Sequence, residues 1–222
     1  MTAGVVGVYG ASGCGRGVLP LLRSSLSRAG DNRQLVFIDD ALAGQTINGH
    51  PVVAFTEFAS RSSASLHVSL AVANPAVRRR LAEQCDKAGV KFLDARADNV
   101  VQLDDVEIGE GAILSPFVTL TSNIRIGRHF QANLYAYVEH DCVIGDFVTF
   151  APGAMCNGNV VIEDGAYVGS GAVIKQGKPG EPLIIGRDAS VGMGAVVIRS
   201  VPPGAVVVGN PARPIRASTH LR

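Results

Sequence analysis

The 222-residue chain contains no tryptophan, and aromatic residues make up only 5% of it. A core in this chain closes on small and aliphatic side chains rather than on bulky rings. Charge of one sign is also missing. Twenty Lys and Arg face 19 Asp and Glu, for a formal net charge of +1, which excludes a protein that grips nucleic acid by bulk electrostatics. Charged residues are only 18% and the mean hydropathy is +0.25. Even so, no apolar run approaches the roughly 18–20 residues of a membrane span. The first such run, Val5 to Tyr9, is stopped by the glycines of 10–15. No basic stretch precedes it, so no secretory leader and no membrane partner are expected. The four cysteines (Cys14, Cys85, Cys142, Cys156) include no CxxC pair, and read as reduced thiols in the cytoplasm. What is abundant is glycine, 26 residues against a usual share of about 7%. Tight backbone packing is therefore expected, and the apolar surplus suits a subunit interface.

Two textures divide the chain. Residues 1–97 alternate strand-like and helix-like segments: strands at Val5–Tyr9, Gln34–Ile38, Leu66–Ala73 and Val90–Leu93, with helical spacing of Val18, Leu19, Leu22 and Leu26. A short helix fits Thr56–Ala59, and Pro75 opens another through an Arg-rich stretch. This alternation predicts a small parallel α/β sheet, Rossmann-like in arrangement. The Arg78–Arg80 run reads as a solvated helix face, with a phosphate contact as the alternative.

Residues 98–222 lose helical spacing and gain a period of six. Ile108, Leu114, Leu120, Ile126, Ala132, Val138, Ile144, Phe150, Cys156, Ile162, Val168 and Ile174 follow one another at that interval. A second apolar series runs four positions later, from Ala112 to Ala172. The phase slips once: Ile174 to Ile185 is five residues too long, which predicts a loop ejected near Gly177–Pro182. A period of six is neither 2 nor 3.6. It fits a short straight side and a corner, with three sides closing a triangular coil of 18 residues. Successive coils then stack as parallel strands about 4.8 Å apart. The glycines after the aliphatic position (Gly109, Gly127, Gly145, Gly169) are expected to ease the corners.

Several residues carry chemistry in this frame. Gly10, Gly13 and Gly15 follow a strand and open a helix, where amide N–H groups can face an anion; a plain tight turn is the alternative. Asp39 and Asp40 end the second strand, where parallel sheets place ligands, or they are solvated turn acids. His140 suits a general base that removes a proton from an amine, since a neutral imidazole titrates in the right range. Asp141 can orient the ring, provided a corner falls between the two, because neighbours on a flat strand point oppositely. One coil beyond His140 stands Gly158, whose amide can serve as an oxyanion donor unless it is a plain corner glycine. Three converging histidines for a zinc site are not available in the shaft, so no metal is expected.

The hexads I108-G-E-G-A-I, I126-G-R-H-F-Q and V168-G-S-G-A-V resemble those of left-handed β-helix acyltransferases. Y9-G-A-S-G-C-G15, F37-I-D-D40, A71-V-A-N-P75, H140-D-C-V-I-G145 and V208-G-N-P-A-R213 extend the likeness. Together they resemble bacterial sugar-nucleotide N-acetyltransferases acting on 4-amino sugars, and the related sialic acid O-acetyltransferases. The resemblance implies a left-handed parallel β-helix behind a nucleotide-sugar-binding domain, and a homotrimer with acetyl-CoA held between shafts. It implies acetyl transfer to a nucleotide-linked 4-amino-4,6-dideoxy sugar, GDP-perosamine ahead of a UDP-linked one, in O-antigen synthesis; O-acetylation of a sialic acid is the alternative. By the same resemblance Ser12, Gly13, Cys14, Asp39, Asp40 and Ala73 meet the nucleotide sugar. Thr149, Ser170, Met193 and Arg213 meet acetyl-CoA.

Overall fold

The computed structural model describes residues 4–61 and 66–215. Two compact units emerge, Met1–Ala97 with Glu110–Ile113, and Asp98–Gly109 with Leu114–Arg222.

The first unit is built on β1 (Val5–Tyr9), α1 (Gly13–Arg28), β2 (Gln34–Ile38), β3 (Thr46–Ile47), β4 (His50–Val53), α2 (Phe55–Ala59), β5 (His67–Leu70), α3 (Pro75–Lys87) and β6 (Lys91–Phe92). The sheet order is β3-β4-β2-β1-β5-β6, parallel except for the β3–β4 hairpin. β1 is buried along its whole length, as a central parallel strand must be. Strand order reverses between β1 and β5, so a crevice for ligands opens beyond their carboxyl ends. Val18, Leu19, Leu22 and Leu26 of α1 pack on this sheet. Gly15 is required by that packing, because a Cβ there would drive into the Gly10 carbonyl oxygen.

The β3–β4 hairpin was not expected from the sequence. Asn48 and Gly49 turn it, at φ 49° and 78°, which is the positive-φ pair that a two-residue hairpin turn needs. The solvated face expected for Arg78–Arg80 holds for the exposed Arg80 and half-buried Arg79 but is corrected at Arg78. Arg78 has no exposed surface, because side chains lean toward the helix N-terminus and carry this one under the β5 loop.

The second unit is a three-faced parallel β-helix. On one face Val106–Ile108, Ile124–Ile126, Val143–Ile144, Val160–Ile162 and Leu183–Ile185 stack in order. A second face carries Val101–Gln102, Thr119–Leu120, Tyr137–Val138, Met155–Cys156, Val173–Ile174 and Val196–Val197. The third includes Gln131–Ala132, Thr149–Phe150, Tyr167–Val168, Ser190–Val191 and Val206–Val208. Partners stand one coil apart, Ile126 on Ile144 and Val138 on Cys156. The interval lengthens where Ile162 meets Ile185, and the extra residues form the turn bridged between Lys178 and Glu181. Both apolar series point inward, and from Leu114 to Ile174 every sixth residue is buried.

The corners differ from expectation. They are turned by residues at positive φ, most of them not glycine: Asp105, Asn123, Asp141 and Asn159 on one edge, at φ 53–58°. Asn and Asp tolerate this region because their short side chains bond locally. Gly109, Gly127 and Gly145 instead sit where coils touch. A Cβ on Gly127 would lie 2.7 Å from the Asp146 amide nitrogen and 2.8 Å from the Gly145 carbonyl carbon. Asp146 and Asp164 reinforce the stack, each accepting through Oδ1 from a backbone N–H one coil below, at 2.9 Å.

Candidate active site

His140 and Asp141 lie at the Asn123/Asp141/Asn159 edge. Adjacent strand residues diverge, but Asp141 is the corner residue, and its φ of 58° swings the carboxylate back beside the ring. His140 Nδ1 donates to Asp141 Oδ2 at 2.7 Å. The coil below completes the arrangement: Asn123 Nδ2 donates to Asp141 Oδ1 at 3.1 Å. One carboxylate oxygen is thereby occupied by Asn123 and the other by the imidazole. The bond to Asp141 raises the His140 pKa above the ordinary histidine value. The His140 and Asn123 bonds together lower that of Asp141. About half of each side chain is exposed, 55% and 47%, so the pair faces solvent.

The coil above supplies a floor. A Cβ on Gly158 would stand 2.5 Å from Cε1, 2.6 Å from Nε2 and 2.9 Å from Nδ1 of His140. The imidazole therefore lies against the bare face of this glycine, which has no room for a side chain unless the ring moves. Gly158 accepts a hydrogen bond from the Gly177 amide through its carbonyl, while its own N–H is engaged by no hydrogen bond among the described residues. That amide is available as an anion donor. Beneath the ring, Cys142 Sγ donates toward the His140 and Asn157 carbonyls at 3.5 and 3.4 Å. Asn157 in turn accepts from the Tyr137 hydroxyl at 2.8 Å.

The other shaft residues do not gather at this edge. Ser170 and Arg213 are exposed and Met193 is 81% exposed, whereas Thr149 is buried at 3% and offers little surface to a ligand. A cavity of about 420 Å³ lies beside the ejected turn, with Lys175, Lys178 and Arg199 on its wall. In the first unit the expected residues do converge. Ser12 is the N-cap of α1, with a side chain that makes no capping bond. The Ala11 amide donates to Asp39 Oδ2 at 3.3 Å, tying the glycine loop to the end of β2. A Cβ on Gly10 would stand 3.0 Å from the Ala71 oxygen, so the loops after β1 and β5 lie side by side. Burial pushes the Cys14 thiol up, keeping it protonated. Asp40 has a structural duty, accepting from the Phe55 amide at 2.8 Å at the start of α2.

Asn123 is not singled out by the sequence motifs, and the burial of Arg78 is not visible in them. Asn123 is nonetheless within reach, since counting one coil back from Asp141 finds it as surely as counting forward from His140 finds Gly158. Among the described residues no three metal-ligating side chains converge, and no helix is long and apolar enough to cross a membrane.

Comparison with known proteins agrees with this fold. The PglD N-terminal domain family matches residues 6–85. The GDP-perosamine N-acetyltransferase of Escherichia coli O157:H7 is 50% identical over 213 residues, 96% of each chain. WeeI from Acinetobacter baumannii AYE superposes with a TM-score of 0.92 at 56% identity, over 95% of this chain and 99% of that one. PerB from Caulobacter crescentus, solved with CoA and GDP-perosamine, gives a TM-score of 0.83 at 26% identity over 97% and 99%. The shaft is accordingly a left-handed parallel β-helix. The chain thus belongs to the bacterial sugar-nucleotide N-acetyltransferases of the left-handed β-helix acyltransferase superfamily.

Proposed function

We propose that this enzyme moves the acetyl group of acetyl-CoA to the 4-amino group of GDP-perosamine, with His140 as general base. The observation that carries the chemistry is the His140–Asp141 pair, with ring nitrogen Nε2 free and the Gly158 amide one coil away. The identity of the substrate rests on the relative that is 50% identical.

Acetyl-CoA supplies the acyl group as a thioester. A sugar amine is mostly protonated at neutral pH and attacks only as the free base. Asp141 holds the Nδ1–H tautomer of His140, which leaves the Nε2 lone pair for the amine proton. As nitrogen bonds to the carbonyl carbon, the oxygen becomes anionic, and the Gly158 N–H is placed to donate to it. Collapse breaks the C–S bond. The imidazolium returns its proton to the thiolate, and the acylated nitrogen releases its remaining extra proton to water, giving amide and free CoA.

The nucleotide sugar is assigned to Ser12, Gly13, Cys14, Asp39, Asp40 and Ala73 of the first unit, and acetyl-CoA to the shaft, with Ser170, Met193 and Arg213 as its contacts. A homotrimer fits the second face of the shaft. Tyr137, Met155, Val173 and Val196 project outward there, and Val101, Leu103 and Ile198 are exposed. We place the reaction in the cytoplasm, where the four free thiols stay reduced.

The test is thiol release on incubation with acetyl-CoA and GDP-perosamine, beside a UDP-linked 4-amino sugar. Release with GDP-perosamine and an alkali-stable product are expected. An alkali-labile ester, or release only with the UDP sugar, refutes the substrate. His140→Ala lowers kcat by roughly 10²–10⁴ if His140 is the base. Light scattering at monomer mass refutes the trimer.

A further inference from the structure

The Asn157–Gly158 peptide carries the amide assigned to the oxyanion, and both of its flanks are held. On the Asn157 side, the backbone N–H donates to the Ile174 carbonyl at 3.3 Å, and Oδ1 accepts from the Tyr137 hydroxyl at 2.8 Å. On the Gly158 side, the carbonyl accepts from the Gly177 amide at 2.9 Å. With both ends fixed, the rigid trans plane keeps one freedom, a rocking about the line between its two Cα atoms. The Asn157 carbonyl decides where that rocking comes to rest. No backbone N–H among the described residues donates to it. Its donors are two thiols, Cys142 Sγ at 3.4 Å and Cys156 Sγ at 3.7 Å. Both cysteines belong to the shaft core and have no exposed surface.

In a trans peptide the C=O and the N–H point in opposite directions. A carbonyl drawn inward to the thiols therefore turns the Gly158 N–H outward, away from the core, at the edge where the imidazole lies. Cys142 also donates toward the His140 carbonyl, at 3.5 Å, so one thiol stands between the backbone of the base and the peptide one coil above. Sulfur suits this place. Its long C–S bond and large radius bring two carbonyls within range of one side chain, where a hydroxyl needs about 2.5–3.0 Å to either. A thiol is a weak donor. Without it the carbonyl loses its nearer partner inside the core, which favours a tilt of the plane toward solvent.

We propose that Cys142 is a positioning residue for acetyl transfer, holding the Asn157–Gly158 plane by its carbonyl so that the Gly158 N–H is aimed at the acyl oxygen before acetyl-CoA arrives. This rests on the reading of His140 as base and Gly158 as oxyanion donor. A donor aligned beforehand acts without reorganisation as the charge develops.

The test compares Cys142→Ala, which removes the donor, with Cys142→Ser, which is close to it in size but keeps one. Cys142→Ala is expected to lose about tenfold in kcat, a part of the roughly 10²–10³ that a deleted oxyanion donor costs. KM for both substrates should stay within about twofold, and the pH limb of kcat/KM should not move. Cys142→Ser is expected to stay within about threefold of the wild-type kcat, because its hydroxyl still donates to the Asn157 carbonyl. Equal losses in the two variants assign Cys142 to packing and overturn the proposal, as does full kcat in a folded Cys142→Ala enzyme. NMR of protein labelled at the glycine nitrogens reads the peptide itself, with no substrate present. The Gly158 amide signal, identified by its loss in Gly158→Ala, is expected to shift in Cys142→Ala and to return toward its wild-type position in Cys142→Ser; an unmoved signal refutes the positioning. Should Cys142→Ala fail to fold, Cys142→Ser decides, since a tenfold or larger loss of kcat with a donor in place refutes the proposal. A wild type that releases no thiol from acetyl-CoA with GDP-perosamine refutes the proposed reaction, and this inference with it. An active wild type whose rate and amide signal are matched by both variants refutes this inference alone.

Discussion

Replacing Gly158 by alanine tests the proposed catalytic edge with one methyl group. Its backbone lies outside the positive-φ region, so alanine adds no conformational strain. The N–H that would meet the oxyanion is kept. Only the steric floor changes. The new Cβ would stand 2.5–2.9 Å from three ring atoms of His140, against 3.4–4 Å for ordinary contact. The ring must withdraw by about 1 Å, because Gly158 itself is held in the coil through its carbonyl bond to Gly177. A misplacement of about 1 Å in a reacting group can cost about 10²-fold in rate, or roughly 2.7 kcal/mol of transition-state stabilisation. The expected result is a fall in kcat of about that size, with KM for both substrates within about threefold and an unchanged melting temperature. Thiol release gives kcat, and ring NMR signals of His140 report its departure from Asp141. Full kcat in a folded Gly158→Ala enzyme would refute the claim that the ring must lie on this glycine to act.

The pH profile supplies a second test. Only the neutral imidazole accepts a proton, so kcat/KM should climb as pH rises through the His140 pKa. Asp141 raises that pKa, so the limb should centre above the ordinary value of about 6.5. Asp141→Asn should move the limb to lower pH and lower the plateau, and an unmoved limb assigns the titration to another group. Asn123→Ala frees Asp141 Oδ1 and is expected to cost about tenfold in kcat with KM held; restoration by Asn123→Gln would show a bond rather than bulk is needed. For stability, Gly127→Ala sets a Cβ 2.7 Å from the Asp146 backbone nitrogen, which cannot give way, so urea unfolding should show a loss of about 1–3 kcal/mol.

The sequence discloses the shaft more fully than the first unit because its code is repetitive. A side chain that must point inward every six residues leaves a series that twelve positions confirm, from Ile108 to Ile174. The five-residue slip located the Lys178–Glu181 turn for the same reason. The β3–β4 hairpin was legible in Asn48-Gly49 and passed over because strands of two and four residues leave no apolar run. Arg78 was not legible. Three arginines in a row look alike in a string, and only the phase of α3 against the sheet decides that the first is buried. The corner glycines misled because glycine has two uses, positive φ and close approach. Gly127 and Gly145 serve the second, as the Asp146 and Asp164 backbones beside them show.

The shaft also explains why so few residues would suffice for the proposed catalytic edge. In a globular enzyme a base, its orienting acid and an anion donor come from loops that must each be held separately. Here a single backbone repeat brings residues one coil apart into contact at every edge, as at Asn123–Asp141 and at His140–Gly158. The groups need only the right side chain at the right coil. That economy carries a constraint. The vertical spacing of the groups is the spacing of parallel strands, about 4.8 Å, and cannot be adjusted by a loop. Fine adjustment falls to side-chain length and to corner conformation. Asp141 meets it with a positive φ that returns its carboxylate to the ring of the preceding residue. A glutamate there, one methylene longer, would have to fold back to reach Nδ1 and would leave Asn123 without its partner. Asp141→Glu should therefore lower kcat while preserving charge, which separates the geometry of the pair from its electrostatics.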